Sequence, residues 1–381
     1  MRMKLTVAAA IAAVAILLYL PLGCKKSTND MQAITAAARQ AQSSACTFPS
    51  QIASTPEQTA WKLFVAATCP VNSNKYPYVT WENWIEQNQL YTPQGQAEAF
   101  VQGQRPRFHM SPLARIMRER AAERKPNAAR LLPQAANQDC NSQTWSGRTI
   151  CEEARLNPDA QSYVTSNGLT TLSGQVQFIA AGETFRFTPP SIEIKADWIE
   201  LPNCNNLPTN VHVETINNVC YALGGIHLIS KLIDKWVWAT FEPQNQTTNP
   251  QRCVALGCND SWGSVPAQSS GAATQLSPQA SQLMSDAGLT PEWQNYRLDG
   301  VQVDFLNANG QPSVLGNSII EGDNAGNPTL MKSSSCITCH NLSTINKNKQ
   351  SLNPDFIIGS PKPYPTGYVG RDFVWSLGLA H

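Results

Sequence analysis

Two thiols and an imidazole stand together at Ser335-Cys336-Ile337-Thr338-Cys339-His340-Asn341. Cys-x-x-Cys-His is the spacing that attaches c-type haem. Cysteines three positions apart lie about one helical turn from each other, so both thiols reach the vinyl groups of one porphyrin and close thioethers. The imidazole of the next residue then lies under the iron as its proximal ligand. With eleven Cys and five His in 381 residues, a chance match of all three positions falls below about one in a hundred. Two other chemistries use a Cys-x-x-Cys. A thioredoxin-like pair sits in a βαβ context, and half of a zinc site needs a second Cys/His pair at ligand spacing. Neither context surrounds Cys336.

The iron's sixth position is the open question. Residues 341–380 contain no Met and no His, and the only imidazole beyond His340 is the terminal His381. The downstream Met of small electron-transfer cytochromes is therefore missing. Upstream, Met331 on a helix continuous with the motif would lie ~13 Å along the axis from His340, on the wrong side of the porphyrin. Met110, beside His109, and Met284 read as core fillers, and His212, in a Pro/Asn-rich stretch, reads as a surface residue. His227 is the candidate distal ligand. It lies in Leu223-Gly224-Gly225-Ile226-His227-Leu228-Ile229, where two glycines admit close approach of a bulky group. A core histidine bonded to a carbonyl is the equal alternative.

Haem is attached outside the cytoplasm, so the motif calls for an exported chain. Arg2 and Lys4 precede an apolar run from Leu5 to Gly23, a positive n-region followed by a signal-type h-region. Leu20-Pro21-Leu22-Gly23-Cys24 resembles a bacterial lipobox, with Cys24 as the lipidated residue, although Pro21 stands where Leu is usual. An uncleaved anchor is the alternative, since ~18 apolar residues just span a bilayer. Either way the remainder faces the periplasm, held at a membrane, by preference the outer one. Without Cys24, Cys336 and Cys339, eight cysteines remain, an even set suited to four disulfides in an oxidising compartment. Nearest neighbours (46–69, 140–151, 204–220, 253–258) are the preferred pairs.

The elements that must position this chemistry follow from patterning. Residues 1–23 form the signal segment and 24–165 read as helical: Met31 to Gln42 is Ala-rich, Thr55-Pro56-Glu57-Gln58 starts a helix, Thr80 caps another, and Ser111-Pro112 a third. Arg105, Arg107, Arg115, Arg118, Arg120, Arg124, Lys125 and Arg130 gather near the last. That is a solvated face or a docking patch for an acidic redox partner or a lipid surface. Residues 166–262 alternate as strands, including Gln175–Ile179, Thr184–Phe187, Ile192–Ile199 and a hairpin of Val219–Ile233 with Trp236–Phe241. Residues 263–282 are a loop or linker, and Ser277-Pro278 starts a short helix. Arg297–Phe305 is extended and Asn309-Gly310 turns. Residues 283–381 form the haem region, with Asn327-Pro328 starting a helix into the motif and Asp372 capping the last helix. The expected class is α+β: a helical N-terminal part, an antiparallel β-rich middle and a helical haem-attachment segment.

Trp236-Val237-Trp238-Ala239-Thr240-Phe241-Glu242, Leu315-Gly316-Asn317-Ser318-Ile319-Ile320-Glu321 and Ser334-Ser335-Cys336 are similar to segments of large, exported, single-haem bacterial cytochrome c proteins. The likeness extends over most of the exported chain. It implies one covalent haem c on Cys336 and Cys339 with His340 as proximal ligand. The expected role is electron transfer with a periplasmic or membrane redox partner. The alternative is a haem-dependent oxidoreductase or peroxidase with an open distal position. Net charge +1 with 14% charged residues argues against nucleic acid.

Overall fold

The computed structural model describes residues 44–71, 78–92, 141–145, 148–216, 218–244, 260–265, 275–317, 319, 334–352, 358–359, 361 and 363–380. The chain divides into two compact units, Met1–Thr47 and Phe48–His381. Of the first, only residues 44–47 are described, with a 3-10 turn over Ser44–Cys46. The signal segment, Cys24, the arginine-rich stretch, Met110, Met331 and His381 lie outside the described residues.

The second unit is organised on one eight-stranded antiparallel sheet. Helix α1 (Pro56–Thr68) begins as its sequence requires: Thr55 Oγ1 accepts from Gln58 N, and Pro56 fills the first turn. A 3-10 turn at Thr80–Asn83 leads into strand β1 (Ile85–Glu86) and helix α2 (Gln87–Tyr91). Strands β2 (Asn141–Trp145) and β3 (Arg148–Leu156) form a hairpin, followed by helices α3 (Pro158–Ser166) and α4 (Leu172–Ala180). Then come β4 (Ile192–Glu200), β5 (Val213–Ile216), β6 (Val219–Ser230) and β7 (Val237–Pro243). A small hairpin, β8 (Ser264–Val265) with β9 (Gln275–Leu276), precedes α5 (Pro278–Asp286), α6 (Pro291–Gln294) and β10 (Tyr296–Gln302). Helix α7 (Cys336–His340) and the pair β11 (Thr344–Asn346) and β12 (Tyr368–Gly370) close the chain. The sheet runs β1-β3-β4-β6-β7-β10, with β2 on β3 and β5 on β6.

Residues opposite one another in an antiparallel pair share a face. One row across the sheet is Leu156, Glu193, Ile229, Trp238 and Gln302, and the row beside it on the same face is Ala154, Lys195, His227, Thr240 and Gly300. The other face carries Glu153, Ala196, Ile226, Phe241 and Leu298. Helix α1 covers this second face, with Phe64 stacked on Phe241 at 4.2 Å and Trp61 edge-on to it at 5.2 Å. Helix α7 packs on the first, where Cys336 and Ile337 join the apolar cluster of Ile229, Trp238 and Leu377.

This is a sheet-dominated core with short helices, and it corrects the expected α+β division. Residues 148–156 are a strand inside the stretch expected to be helical. The strand is buried from Ile150 onward, and its buried Glu152, Glu153 and Arg155 break any alternation of apolar and polar residues. Near the C-terminus, helix among the described residues is limited to five residues of α7 and a 3-10 turn at Trp375–Leu379. Ser335 has φ −150°, ψ 107°, so no helix runs unbroken into the motif. The exclusion of Met331, which assumed one, has no support. Gln175–Ile179 belongs to helix α4, capped by Thr171, because the Gln175 amide turns inward to the carbonyls of Leu169 and Leu377. Thr184–Phe187 forms no strand. Asp372 caps nothing. It has φ 51° and pairs with Lys231 at 2.6 Å.

The expected β4 span, the β6–β7 hairpin, the Ser277 cap and the Asn309-Gly310 turn are present. Cys204 and Cys220 form the expected disulfide, Cα–Cα 5.4 Å. Cys46, Cys69 and Cys151 are also disulfide-bonded. Among the described residues, no helix is long and apolar enough to cross a membrane.

Candidate functional site

Helix α7 is clamped to the sheet edge by Gln302, the last residue of β10. Its Nε2 donates to Ser335 Oγ (3.1 Å) and Ser313 O (2.8 Å), and its Oε1 accepts from Ile337 N (3.2 Å). Ser335 donates on to Thr338 Oγ1 at 3.0 Å. These bonds set the helix start, and with it the direction of both cysteines. Cys336 Sγ points toward Leu315 O at 3.7 Å within the apolar cluster. Cys339, one turn later, is half-buried, and its carbonyl accepts from Trp375 Nε1 at 3.2 Å. Both cysteines keep their thiols.

His340 is oriented by the backbone. Its Nδ1 lies 2.8 Å from Phe373 O. A carbonyl only accepts, so Nδ1 carries the proton and the lone pair sits on Nε2. The carbonyl is aimed by consecutive left-handed residues, Asp372 (φ 51°) and Phe373 (φ 69°). Two non-glycine residues in that region cost on the order of 1–3 kcal/mol each and need outside support. The Asp372 carboxylate supplies it by binding Lys231 Nζ (2.6 Å) and Phe187 N (2.7 Å). Burial raises the Asp372 pKa, while the Lys231 contact lowers it. The His340 ring lies 4.6 Å from Trp238, whose Nε1 donates to Lys235 O at 2.8 Å.

Comparison with family models, curated proteins and solved structures finds no match for this chain. Two thiols one turn apart and an imidazole locked as the Nδ1–H tautomer are the donor set that covalent haem needs. The residues fit the group.

His227 is buried on the same sheet face as Trp238, one step along in register. The space beside the glycines before it is taken by neighbouring side chains. A Cβ on Gly225 would meet the Asn317 amide at 2.6 Å, and one on Gly224 would meet Ile199 at 2.6 Å. Asn317 fills the gap and donates to Thr240 Oγ1 at 2.8 Å.

The sequence reading missed two features. Glu193, opposite Ile229, accepts from Ser376 Oγ at 2.7 Å, and burial pushes its carboxyl up to about 7 against that bond and Lys195. His212 is not a surface residue. It is buried, 2.8 Å from Glu82 Oε1 and 3.5 Å from Glu214 Oε1, with Trp293 stacked on its ring at 4.4 Å. The one local clue was His212-x-Glu214, which puts both side chains on one face of an extended segment. Glu82, 130 positions away, carried no clue.

Proposed function

We propose that this chain is an exported c-type cytochrome, lipid-anchored through Cys24, that passes electrons between periplasmic or membrane redox proteins through one covalent haem c. The observation that carries the reading is the 2.8 Å contact from His340 Nδ1 to Phe373 O beside the two thiols of Cys336 and Cys339. A proximal histidine needs that orientation, and metal-bound histidines habitually donate their second nitrogen to a carbonyl or carboxylate. The likeness of Trp236–Glu242 and Ser334–Cys336 to exported single-haem cytochromes points the same way.

Bound haem supplies a reversible one-electron iron couple. Cys336 and Cys339 tether it, and His340 offers Nε2 to the iron. Phe373 O holds the imidazole proton at Nδ1, which makes Nε2 the more basic ligand atom. Trp238, Ile337 and Leu377, all buried, keep water from the proximal side. The Cys204–Cys220 bridge suits the oxidising compartment that haem attachment requires.

The test is an electronic spectrum of chain matured with haem in a periplasm. An electron carrier gives six-coordinate, low-spin iron that ignores carbon monoxide. High-spin iron that binds carbon monoxide would overturn it in favour of an oxidoreductase with an open distal position. His227→Ala then decides the sixth ligand: an unchanged spectrum removes His227 from it.

A further inference from the structure

On the sheet face away from the thiols, Glu82 and the His212–Glu214 segment come together from two distant places in the chain. Their ligand atoms all lie within 4.8 Å of one another. Each is held independently of the others. Glu82 Oε2 accepts from Val79 N at 3.0 Å, which aims Oε1 at the imidazole. The His212 ring is stacked on Trp293, with Trp198 at 5.6 Å on another side. Glu214 follows on β5, two residues later.

Two carboxylates therefore converge on the single atom His212 Nε2, at 2.8 and 3.5 Å. One N–H makes one full hydrogen bond, so a proton there serves one carboxylate well and the other poorly. Glu82 and His212 are buried and Glu214 nearly so, a largely dry place in which carboxylates hold a cation strongly. The nearby Arg155 guanidinium is turned to backbone and to a different acid: Nη1 donates to the carbonyls of Glu82 and Trp84, and Nε to Glu153. A divalent cation in place of that proton balances both carboxylates and keeps the imidazole neutral.

We propose that Glu82, His212 and Glu214 bind a divalent first-row cation of the Zn2+ class. One imidazole and two carboxylates are a familiar three-ligand set for such ions. Tetrahedral bonds of ~2.0–2.1 Å place ligand atoms ~3.3 Å apart, and the observed 2.8 and 3.5 Å straddle that spacing. Three protein ligands leave a fourth position for water or a small anion. An ion there takes the lone pair of His212 Nε2, so the imidazole proton must sit on Nδ1 when the ion is bound.

The test uses the full chain, stripped with a chelator, dialysed and titrated with Co2+. The expected result is one Co2+ per chain with visible d–d bands, no thiolate charge-transfer band and a raised Tm. Glu214→Gln should weaken binding roughly tenfold or more, while the Cys336→Ser/Cys339→Ser variant should keep it. Equal binding by Glu214→Gln, or a thiolate band that disappears with the cysteines, would overturn the proposal. Should Glu214→Gln fail to fold, the wild-type chain decides by itself: Co2+ that gives no saturable d–d bands and leaves its Tm unchanged sinks the site.

Discussion

The two faces of the sheet are both lined with buried indoles, yet they satisfy their polar groups by different means. On the face covered by α1, side chains meet carboxylates. Trp61 Nε1 donates to Asp260, Trp198 Nε1 to Glu153, Arg155 Nε to Glu153, and His212 faces Glu82. On the face that carries α7, side chains mostly meet carbonyls. His340 Nδ1 goes to Phe373 O, Trp375 Nε1 to Cys339 O, Ser343 Oγ to Val374 O and Arg371 Nη1 to Thr344 O. A carbonyl has no titration and no rotamer. The α7 face therefore fixes its imidazole by the course of the backbone, whereas the α1 face depends on charges that a proton or cation can change. Glu193 and the Asp372–Lys231 and Lys195–Glu152 pairs are exceptions on the α7 side, and Arg155 Nη1 and Tyr296 Oη, which donate to carbonyls, are exceptions on the α1 side.

The largest expected effect falls on the charged face. Arg155→Met removes the cation paired with buried Glu153, whose other oxygen keeps its bond from Trp198 Nε1, and such a loss costs about 3–5 kcal/mol. Urea unfolding should register it, while the haem spectrum stays unchanged. Substituting a carbonyl-bound group on the other face should cost far less: Ser343→Ala, about 1 kcal/mol by the same method. If the two losses were equal, the contrast between the faces would fail.

The pH dependence sharpens the same contrast. Burial raises Glu193 to about 7 and Glu86 to about 8. Between the ordinary carboxyl range and those values the folded chain holds more protons than the unfolded chain, so stability falls as pH rises. Its full value is present below about 4.5 and is lost by about pH 8. Glu193→Gln should flatten part of that decline, by at most about 3 kcal/mol, seen as a rise in relative stability at pH 8 over pH 4.5. A slope unchanged by the substitution would remove Glu193 as its source. The smallest effect belongs to the exposed Lys235–Asp304 pair at 2.7 Å. Lys235→Ala should cost roughly 0.2–1 kcal/mol and vanish in high salt.

What the sequence made legible was local. Thr55-Pro56, Ser277-Pro278 and Asn309-Gly310 carry their geometry in neighbouring residues, and Cys336–His340 carries its chemistry in five. Strand β4 was readable from the alternation Ile192-Glu193-Ile194-Lys195, and β7 from its run of Val, Trp and Phe, although both are almost wholly buried. Strand β3 was not, because its buried Glu152, Glu153 and Arg155 break any alternation of apolar and polar residues. Helix α4 read as a strand because Gln175 looks outward-facing until Arg371, 196 positions later, supplies its partner. The same distance effect hid Phe373 behind His340 and Glu82 behind His212. The two glycines before His227 signalled a close approach correctly, but the group that approaches is Asn317.

One measurement bears most directly on the central claim: the intact mass of the chain produced in a periplasm that attaches haem. The expected result is the mass of the chain plus one haem, retained after denaturation, mapping to the peptide that contains Cys336 and Cys339, and absent from the Cys336→Ser/Cys339→Ser variant. A folded wild-type chain that emerges without haem, its two thiols still reactive, would contradict the account.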